Sequence, residues 1–278
     1  MCNSPWDVAQ GRQSECAASA AAARLGKIEV TRPHMLVGRT LVSQIRASSL
    51  GTEMVIRGVV LDMDGLMLDT EPIYKAAWQR AAAELGFDLD DEWFSRLTGR
   101  PNRDCEREVL LRFGPEFPMP RFRARWPELW RSSADVRGIP LKAGLLAFLS
   151  FVRQHALSSA VATSSDSSFT EFSLRSAGLD GHFDAVVTGD QIERGKPAPD
   201  IYLEAAARLG LEPPECVALE DSDAGVLAAS AAGMVTVCIP DLKPPSEAAA
   251  RAASCVLGSL DEAREWIGAM VADRPAAG

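Results

Sequence analysis

The chain has 278 residues, of which 47% are hydrophobic and 24% are charged. At roughly 150 residues per domain, this length suits one large or two modest domains, and the composition excludes a collagen-like, coiled-coil or wholly disordered chain. The formal net charge of −9 and a pI of 5.0 disfavour a general binder of nucleic acid or of anionic membranes, because the protein's own field repels both. No apolar run approaches the ~18 residues that a membrane helix needs.

The six cysteines are scattered along the chain and form no Cys-x-x-Cys pair. This spacing argues against a zinc knuckle and against a dense disulfide framework. We therefore expect a reducing compartment, and we predict a cytoplasmic protein.

Residues 1–53 differ in character from the rest of the chain. Ala17–Ala23 is almost entirely alanine, and no alternation of strands and helices follows it. The segment also lacks the features of a secretory signal. We expect residues 1–53 to be a disordered N-terminal extension.

The first predicted strand, Val59–Leu61, ends at Asp62. After a loop, Pro72 begins an alanine-rich helix that Gly86 ends. The segment that follows contains helix-type stretches such as Asn102–Phe113 and no convincing strand. The predicted division is an α/β core at 54–71 and 138–272 with a helical insert at 72–137.

Beyond this insert, short apolar strands alternate with helices, most of which end at glycine. This alternation indicates an α/β protein with a doubly wound parallel sheet. The predicted strands and the helices that follow them are Ser159–Thr163 with Ser168–Ala177, Ala185–Thr188 with Pro199–Leu209, Cys216–Leu219 with Ala224–Ala232, and a last strand, Met234–Ile239.

Two carboxylates, Asp62 and Asp64, follow the first strand directly. Residues two apart on an extended segment point to the same side, so both can face one ligand beyond the strand end. Taken alone, an Asp pair before Gly65 is more often simple turn chemistry. An EF-hand loop is excluded, because its glycine would come sixth and here it comes fourth.

Polar residues also end two other predicted strands. Thr163 and Ser164 follow one, and Glu220 and Asp221 close another. The carboxyl ends of adjacent parallel strands converge on the crevice where open α/β sheets bind ligands. Thr163 and Ser164 could instead cap the next helix, Asp221 or Ser222 the helix after Glu220, and Lys196 could be an exposed surface lysine. One shared site explains all of them together.

These residues resemble the four motifs of the haloacid dehalogenase-like hydrolases, in the order of that family. The resemblance spans about residues 55–270 and is closest to the sugar-phosphate and nucleotide phosphatases that carry a helical cap. The matching segments are Asp62-x-Asp64-Gly65-x-x-x-Asp69-Thr70-Glu71, Thr163 at a strand end, Gly195-Lys196-Pro197-x-Pro199-Asp200, and Glu220-Asp221-Ser222-x-x-Gly225.

The resemblance implies a role for each matched residue. Asp62 would be the nucleophile that becomes an aspartyl phosphate, and Asp64 the general acid and base. The phosphoryl oxygens would be held by Thr163, Ser164 and Lys196, and Mg²⁺ by Asp62, the backbone carbonyl of Asp64, Glu220 and Asp221.

Electrostatics agrees with a metal at such a site. Carboxylates repel a phosphate dianion, since two unit charges ~4 Å apart cost roughly 4 kcal/mol at an effective dielectric near 20. Mg²⁺ suits an all-oxygen shell and accepts substrate phosphate as a ligand. The expected activity is therefore hydrolysis of a phosphomonoester on a small metabolite.

The loop Leu97–Asn102 resembles the cap specificity loop of the family, and Arg100 is expected to contact the substrate. An enzymatic alternative is a β-phosphoglucomutase-like isomerase; mutases of this group add a hinge histidine and a cap-loop arginine, where this chain has Tyr74 and Asn102. A non-enzymatic alternative is a degenerate member that only binds ligand. The expected partner is a small phosphorylated metabolite bound by a monomer, without nucleic acid or membrane.

Overall fold

The computed structural model describes residues 55–95, 97 and 102–271 of the chain. Within these residues six strands and ten α-helices form, and each helix lies in a segment between or after strands. The strands are β1 (Gly58–Leu61), β2 (Ser158–Ala162), β3 (Ala185–Val187), β4 (Cys216–Glu220), β5 (Val235–Cys238) and β6 (Cys255–Val256). The helices are α1 (Glu71–Glu84), α2 (Asp91–Ser95), α3 (Asn102–Phe113), α4 (Met119–Arg137), α5 (Leu145–Gln154), α6 (Ser167–Ser176), α7 (Asp200–Leu209), α8 (Asp223–Ala231), α9 (Glu247–Ala252) and α10 (Leu260–Val271).

The six strands form one parallel sheet in the order β3-β2-β1-β4-β5-β6. Leu61 at the end of the central strand β1 is level with Val161 of β2 and Leu219 of β4. This register brings the carboxyl ends of three strands to the same height. The predicted parallel α/β sheet is confirmed, but the expectation that the strand series ends at Ile239 is wrong, because the two residues of β6 continue it.

Helices cover both faces of the sheet because alternate strand residues point in opposite directions. Val59 and Leu61 belong to one buried cluster, which includes Phe148 of α5 and Ile267 of α10. Val60 belongs to the other, with residues of α7 and α8. The strands are therefore buried on both sides, and only their ends remain open for a binding site.

Helices α1 to α4 occupy the segment between β1 and β2, and α1 packs against α4. Aromatic residues fill their interface; Trp78 meets Phe122 edge-on with ring centroids 5.0 Å apart. The chain leaves and re-enters the sheet region at one place, since Asp69 N donates to Pro140 O and Lys142 N donates to Met67 O. This helical layer therefore begins and ends beside the carboxyl end of β1.

Among the described helices, none is both long enough and apolar enough to cross a membrane.

Candidate active site

The site lies at the carboxyl ends of the three central strands. Asp62 directly follows β1, Thr163 follows β2, and Glu220 is the last residue of β4. The sheet's hydrogen bonding continues for one residue beyond β1 and beyond β2. Asp62 N donates to Leu219 O at 3.1 Å, and Thr163 N donates to Val187 O at 3.0 Å. All three residues are buried. The sheet register therefore fixes these side chains relative to one another.

Lys196 brings a positive charge to this edge from the loop between β3 and α7. Its ammonium donates to Asp62 Oδ1 at 2.5 Å, to Glu220 Oε1 at 2.5 Å and to Ala162 O at 3.0 Å. An ammonium has three donors, so all of them are engaged. Burial alone would lower the pKa of Lys196, but the charges of Asp62 and Glu220 raise it above its usual value. Lys196 is therefore a permanent cation that orients Asp62.

Glu220 is fully buried and both of its carboxylate oxygens accept hydrogen bonds. Oε1 accepts from Lys196 and from the Tyr202 hydroxyl at 2.6 Å, and Oε2 accepts from the backbone N and the hydroxyl of Ser222 at 3.1 and 3.0 Å. Gly225 packs directly on this carboxylate, where any Cβ would collide with it. The segment after β4 thus supplies two donors from Ser222 and, at Gly225, the space that the buried Glu220 carboxylate needs.

Asp64 is held by two hydroxyls. Thr70 Oγ1 donates to Oδ1 at 2.8 Å, and Ser165 Oγ donates to Oδ2 at 2.9 Å. Burial raises the pKa of Asp64, although these two hydrogen bonds lower it in part. Ser165 N in turn donates to Thr163 Oγ1 at 3.1 Å. A buried carboxyl with a raised pKa is suited to carry a proton, as a general acid must.

Asp221 completes an acidic cluster with Asp62 and Glu220, whose ligand oxygens lie within 4.8 Å of one another. Burial and the neighbouring charges of Asp62 and Glu220 raise the pKa of Asp221. Within the part of the chain that the structure describes, no side chain donates a hydrogen bond to it. Gly65, with φ of +89°, allows a close approach to this carboxylate that a side chain would block. Three crowded carboxylates and one lysine fit a hard divalent cation.

The structure brings together Asp62, Asp64, Lys196, Glu220 and Asp221, as the motifs predict for one site. Thr163 lies beside them, while the predicted phosphate ligand Ser164 is exposed, and its neighbour Ser165 makes the contact to Asp64. Arg100 lies outside the described residues. The helix-cap interpretation fits Ser222, which caps α8, while Asp166 caps α6.

The sequence analysis assigned no role in the site to four residues that hold it together: Thr70, Ser165, Tyr202 and Ser222. Three of them left a signal in the sequence, because they lie in or next to the matched motifs. Tyr202 left none, since an aromatic residue on an amphipathic helix ordinarily indicates core packing.

The site is a cluster of carboxylates held by a lysine at the strand ends of a parallel α/β sheet, an arrangement that fits a metal-dependent enzyme. A family model described as haloacid dehalogenase-like hydrolase matches residues 59–239. This match covers more than half of the chain and includes every carboxylate of the site. The chain belongs to the haloacid dehalogenase-like hydrolases.

Similar proteins are named phosphatases. The fructose-1-phosphate phosphatase YqaB of Escherichia coli is 34% identical over 65% of this chain and 94% of its own length. A phosphorylated carbohydrates phosphatase of Thermotoga maritima is 33% identical over 64% and 82%. Among solved structures, a candidate β-phosphoglucomutase of Thermotoga maritima superposes with a TM-score of 0.68 at 29% identity, covering 77% of this chain and 99% of that one. The chain is thus a phosphatase of this family.

Proposed function

We propose that this phosphatase is Mg²⁺-dependent and hydrolyses phosphomonoesters of small metabolites, with phosphorylated sugars or sugar alcohols as its preferred class. The observation that carries the proposal is the placement of Asp62 and Asp64, one braced by Lys196 and the other by two hydroxyls, beside one acidic cluster. Relatives named for fructose 1-phosphate and for hexitol phosphates support the substrate class.

The residues that would hold Mg²⁺ are Asp62, the backbone carbonyl of Asp64, Asp221 and Glu220. The crowded carboxylates fit this ion because their mutual repulsion needs a compensating charge that Lys196 alone does not provide. When bound, Mg²⁺ offsets the negative charge of the substrate phosphate. Glu220 serves this cluster mainly through Lys196, since its oxygens already accept hydrogen bonds.

The hydrolysis proceeds in two steps at Asp62. A carboxylate oxygen attacks phosphorus, the bond from phosphorus to the leaving oxygen breaks, and protonated Asp64 gives its proton to that oxygen. Water then attacks the aspartyl phosphate while Asp64 takes a proton from it, which releases inorganic phosphate and restores Asp62. Thr163 and Ser164 hold the phosphoryl oxygens, and Lys196, whose three donors already contact protein oxygens, attracts them by its positive charge. A loose, highly charged transition state depends mostly on such positioning and electrostatics.

The helical segment 72–137 acts in this proposal as a cap over the core at 54–71 and 138–272. Its position between β1 and β2 supports this role, because both of its connections lie beside Asp64. Arg100 would approach the substrate from the cap loop. The protein would work as a monomer in the cytoplasm, with its small-molecule substrate as its partner.

The first test is replacement of the nucleophile, Asp62→Asn, assayed by phosphate release from an aryl phosphate and from sugar phosphates. We expect activity only with Mg²⁺ and a loss on the order of 10⁴-fold or more in kcat. Asp184→Asn is the matched control, because Asp184 caps the opposite, amino-terminal edge of the sheet by accepting from Ser159 N. Retention of a tenth of wild-type activity by folded Asp62→Asn would refute the mechanism.

The same assay separates hydrolysis from isomerisation. With β-glucose 1-phosphate and a bisphosphate primer, free phosphate should form faster than glucose 6-phosphate, because Tyr74 stands where mutases carry a hinge histidine. Faster formation of glucose 6-phosphate would establish the mutase alternative instead.

A further inference from the structure

Tyr202 is a buried polar side chain that the mechanism above does not use. It lies on α7, where it belongs to the apolar cluster beneath one face of the sheet together with Ile201 and Ala205. Its ring is fully buried, and its hydroxyl donates to Glu220 Oε1 at 2.6 Å. Burial, and then the charge of Glu220, raise the pKa of Tyr202 well above its usual value, so the hydroxyl is always a donor.

Packing alone does not explain this hydroxyl. A phenylalanine would fill the same apolar cluster without the cost of burying a polar group, which is significant unless a partner compensates it. The partner here is a single oxygen, Glu220 Oε1, and this oxygen also accepts from Lys196 at 2.5 Å. The Tyr202 hydroxyl therefore binds the same oxygen through which Glu220 contacts Lys196.

We infer that Tyr202 is a positioning residue for the reaction, whose hydroxyl shares Glu220 Oε1 with Lys196 and so keeps the ammonium against Asp62. Lys196 is divided between two carboxylates at equal distances of 2.5 Å. The Tyr202 hydroxyl is a second donor to Glu220 Oε1. It weakens the attraction of this oxygen for Lys196 and fixes the position of the Glu220 carboxylate. The Tyr202 ring adds a second constraint, since the Lys196 nitrogen lies 5.2 Å from the ring centroid.

Removal of the hydroxyl should shift this balance. Among the described residues, Lys196 would then be the only side-chain donor to Glu220 Oε1, and the ammonium would move toward Glu220 and away from Asp62. The nucleophile would lose part of its orientation in the transition state, whereas the outer contacts to substrate would stay. A loss in kcat with little change in KM is the signature of such an effect.

The experiment compares Tyr202→Phe with the wild-type enzyme in steady-state phosphate release with Mg²⁺. The inference rests on the proposed function, so wild-type activity and its loss in Asp62→Asn are measured first; if these fail, the proposed function fails, whatever Tyr202 does. With them in place, we expect Tyr202→Phe to lower kcat about tenfold while KM stays within about twofold. Glu204→Gln, an exposed change on the same helix, is the control and should leave both constants unchanged.

A double-mutant cycle distinguishes positioning from simple stability. If Tyr202 acts through Glu220, then adding Tyr202→Phe to Glu220→Gln should cost less than threefold, because the shared link is already broken. Unchanged kcat in Tyr202→Phe, a full tenfold additional loss in the double variant, or a loss matched by an equal loss of folded protein in a thermal melt would each overturn the inference.

Discussion

The sheet edge and the outer surface of the helical insert both pair basic side chains with carboxylates, but in opposite surroundings. At the sheet edge, Lys196, Asp62 and Glu220 have side chains that are 5%, 10% and 0% exposed. On the insert, Arg125 and Glu84 pair at 2.6 Å with side chains 40% and 36% exposed. The geometry of the pairs is similar, and only their access to water differs.

This difference determines what the charges can do. Water screens an exposed pair and solvates either partner when the other is removed, so such pairs contribute little. At the sheet edge each charge depends on its partners, because an uncompensated buried charge is costly. The buried edge thus holds its carboxylates in fixed positions at a cost in stability, whereas the exposed pairs of the insert contribute little to stability.

The largest effect should follow from removing the one cation that the structure shows among the described residues of the acidic cluster. Lys196→Met leaves Asp62 and Glu220 buried without compensation, so we expect the free energy of unfolding to fall by about 3–5 kcal/mol and activity to be lost. Urea unfolding without divalent metal measures the first quantity. Lys142→Met is the control, because Lys142 is 22% exposed and pairs with Asp241, which does not belong to the acidic cluster. A similar loss in both variants would contradict the comparison.

Replacement of Asp221 should have a smaller effect of opposite sign. Its folded-state pKa is raised by burial and by Asp62 and Glu220, whereas the unfolded chain ionises it freely. Folding at neutral pH must therefore take up a proton or bear repulsion, which lowers stability at every pH above the unfolded pKa. Asp221→Asn removes that cost, so without metal its melting temperature should rise by about 5 °C.

The same Asp221→Asn variant should lose the increase in melting temperature that Mg²⁺ gives the wild type, since bound metal stabilises only a folded site. Asp223→Asn is the control, because Asp223 accepts from Ser246 N outside the cluster. A lower melting temperature in metal-free Asp221→Asn would show that the carboxylates of the cluster do not repel one another.

The sequence predicts those parts of the site that depend on the spacing of residues close together in the chain. The two-residue period of a strand places Asp62 and Asp64 on one side, and the alternation of strands and helices predicts the parallel sheet that aligns Glu220 with them. The two residues of β6 are too few for any pattern to indicate.

The long-range contacts are what sequence reasoning cannot supply. Lys196 reaches Asp62 across 134 positions of sequence, and the contact between Tyr202 and Glu220 depends on where α7 packs beneath the sheet. The family motif points to Lys196, but only the fold shows that all three of its donors are used. In the sequence, Tyr202 looks like an ordinary core residue, because its ring does pack in the core. Its hydroxyl gains a role only from the tertiary structure, which brings it to Glu220.

The smallest effect should come from the insert surface. Arg125→Met breaks a pair of hydrogen bonds to Glu84 and one to Glu128. These hydrogen bonds hold the pKa of Glu84 below its usual value, yet water can replace them at an exposed position. We therefore expect the melting temperature to change by no more than about 2 °C and kcat/KM to stay at the wild-type value. A loss of activity in this variant, measured in the same phosphate-release assay, would show that the outer charges of the insert are coupled to the buried edge.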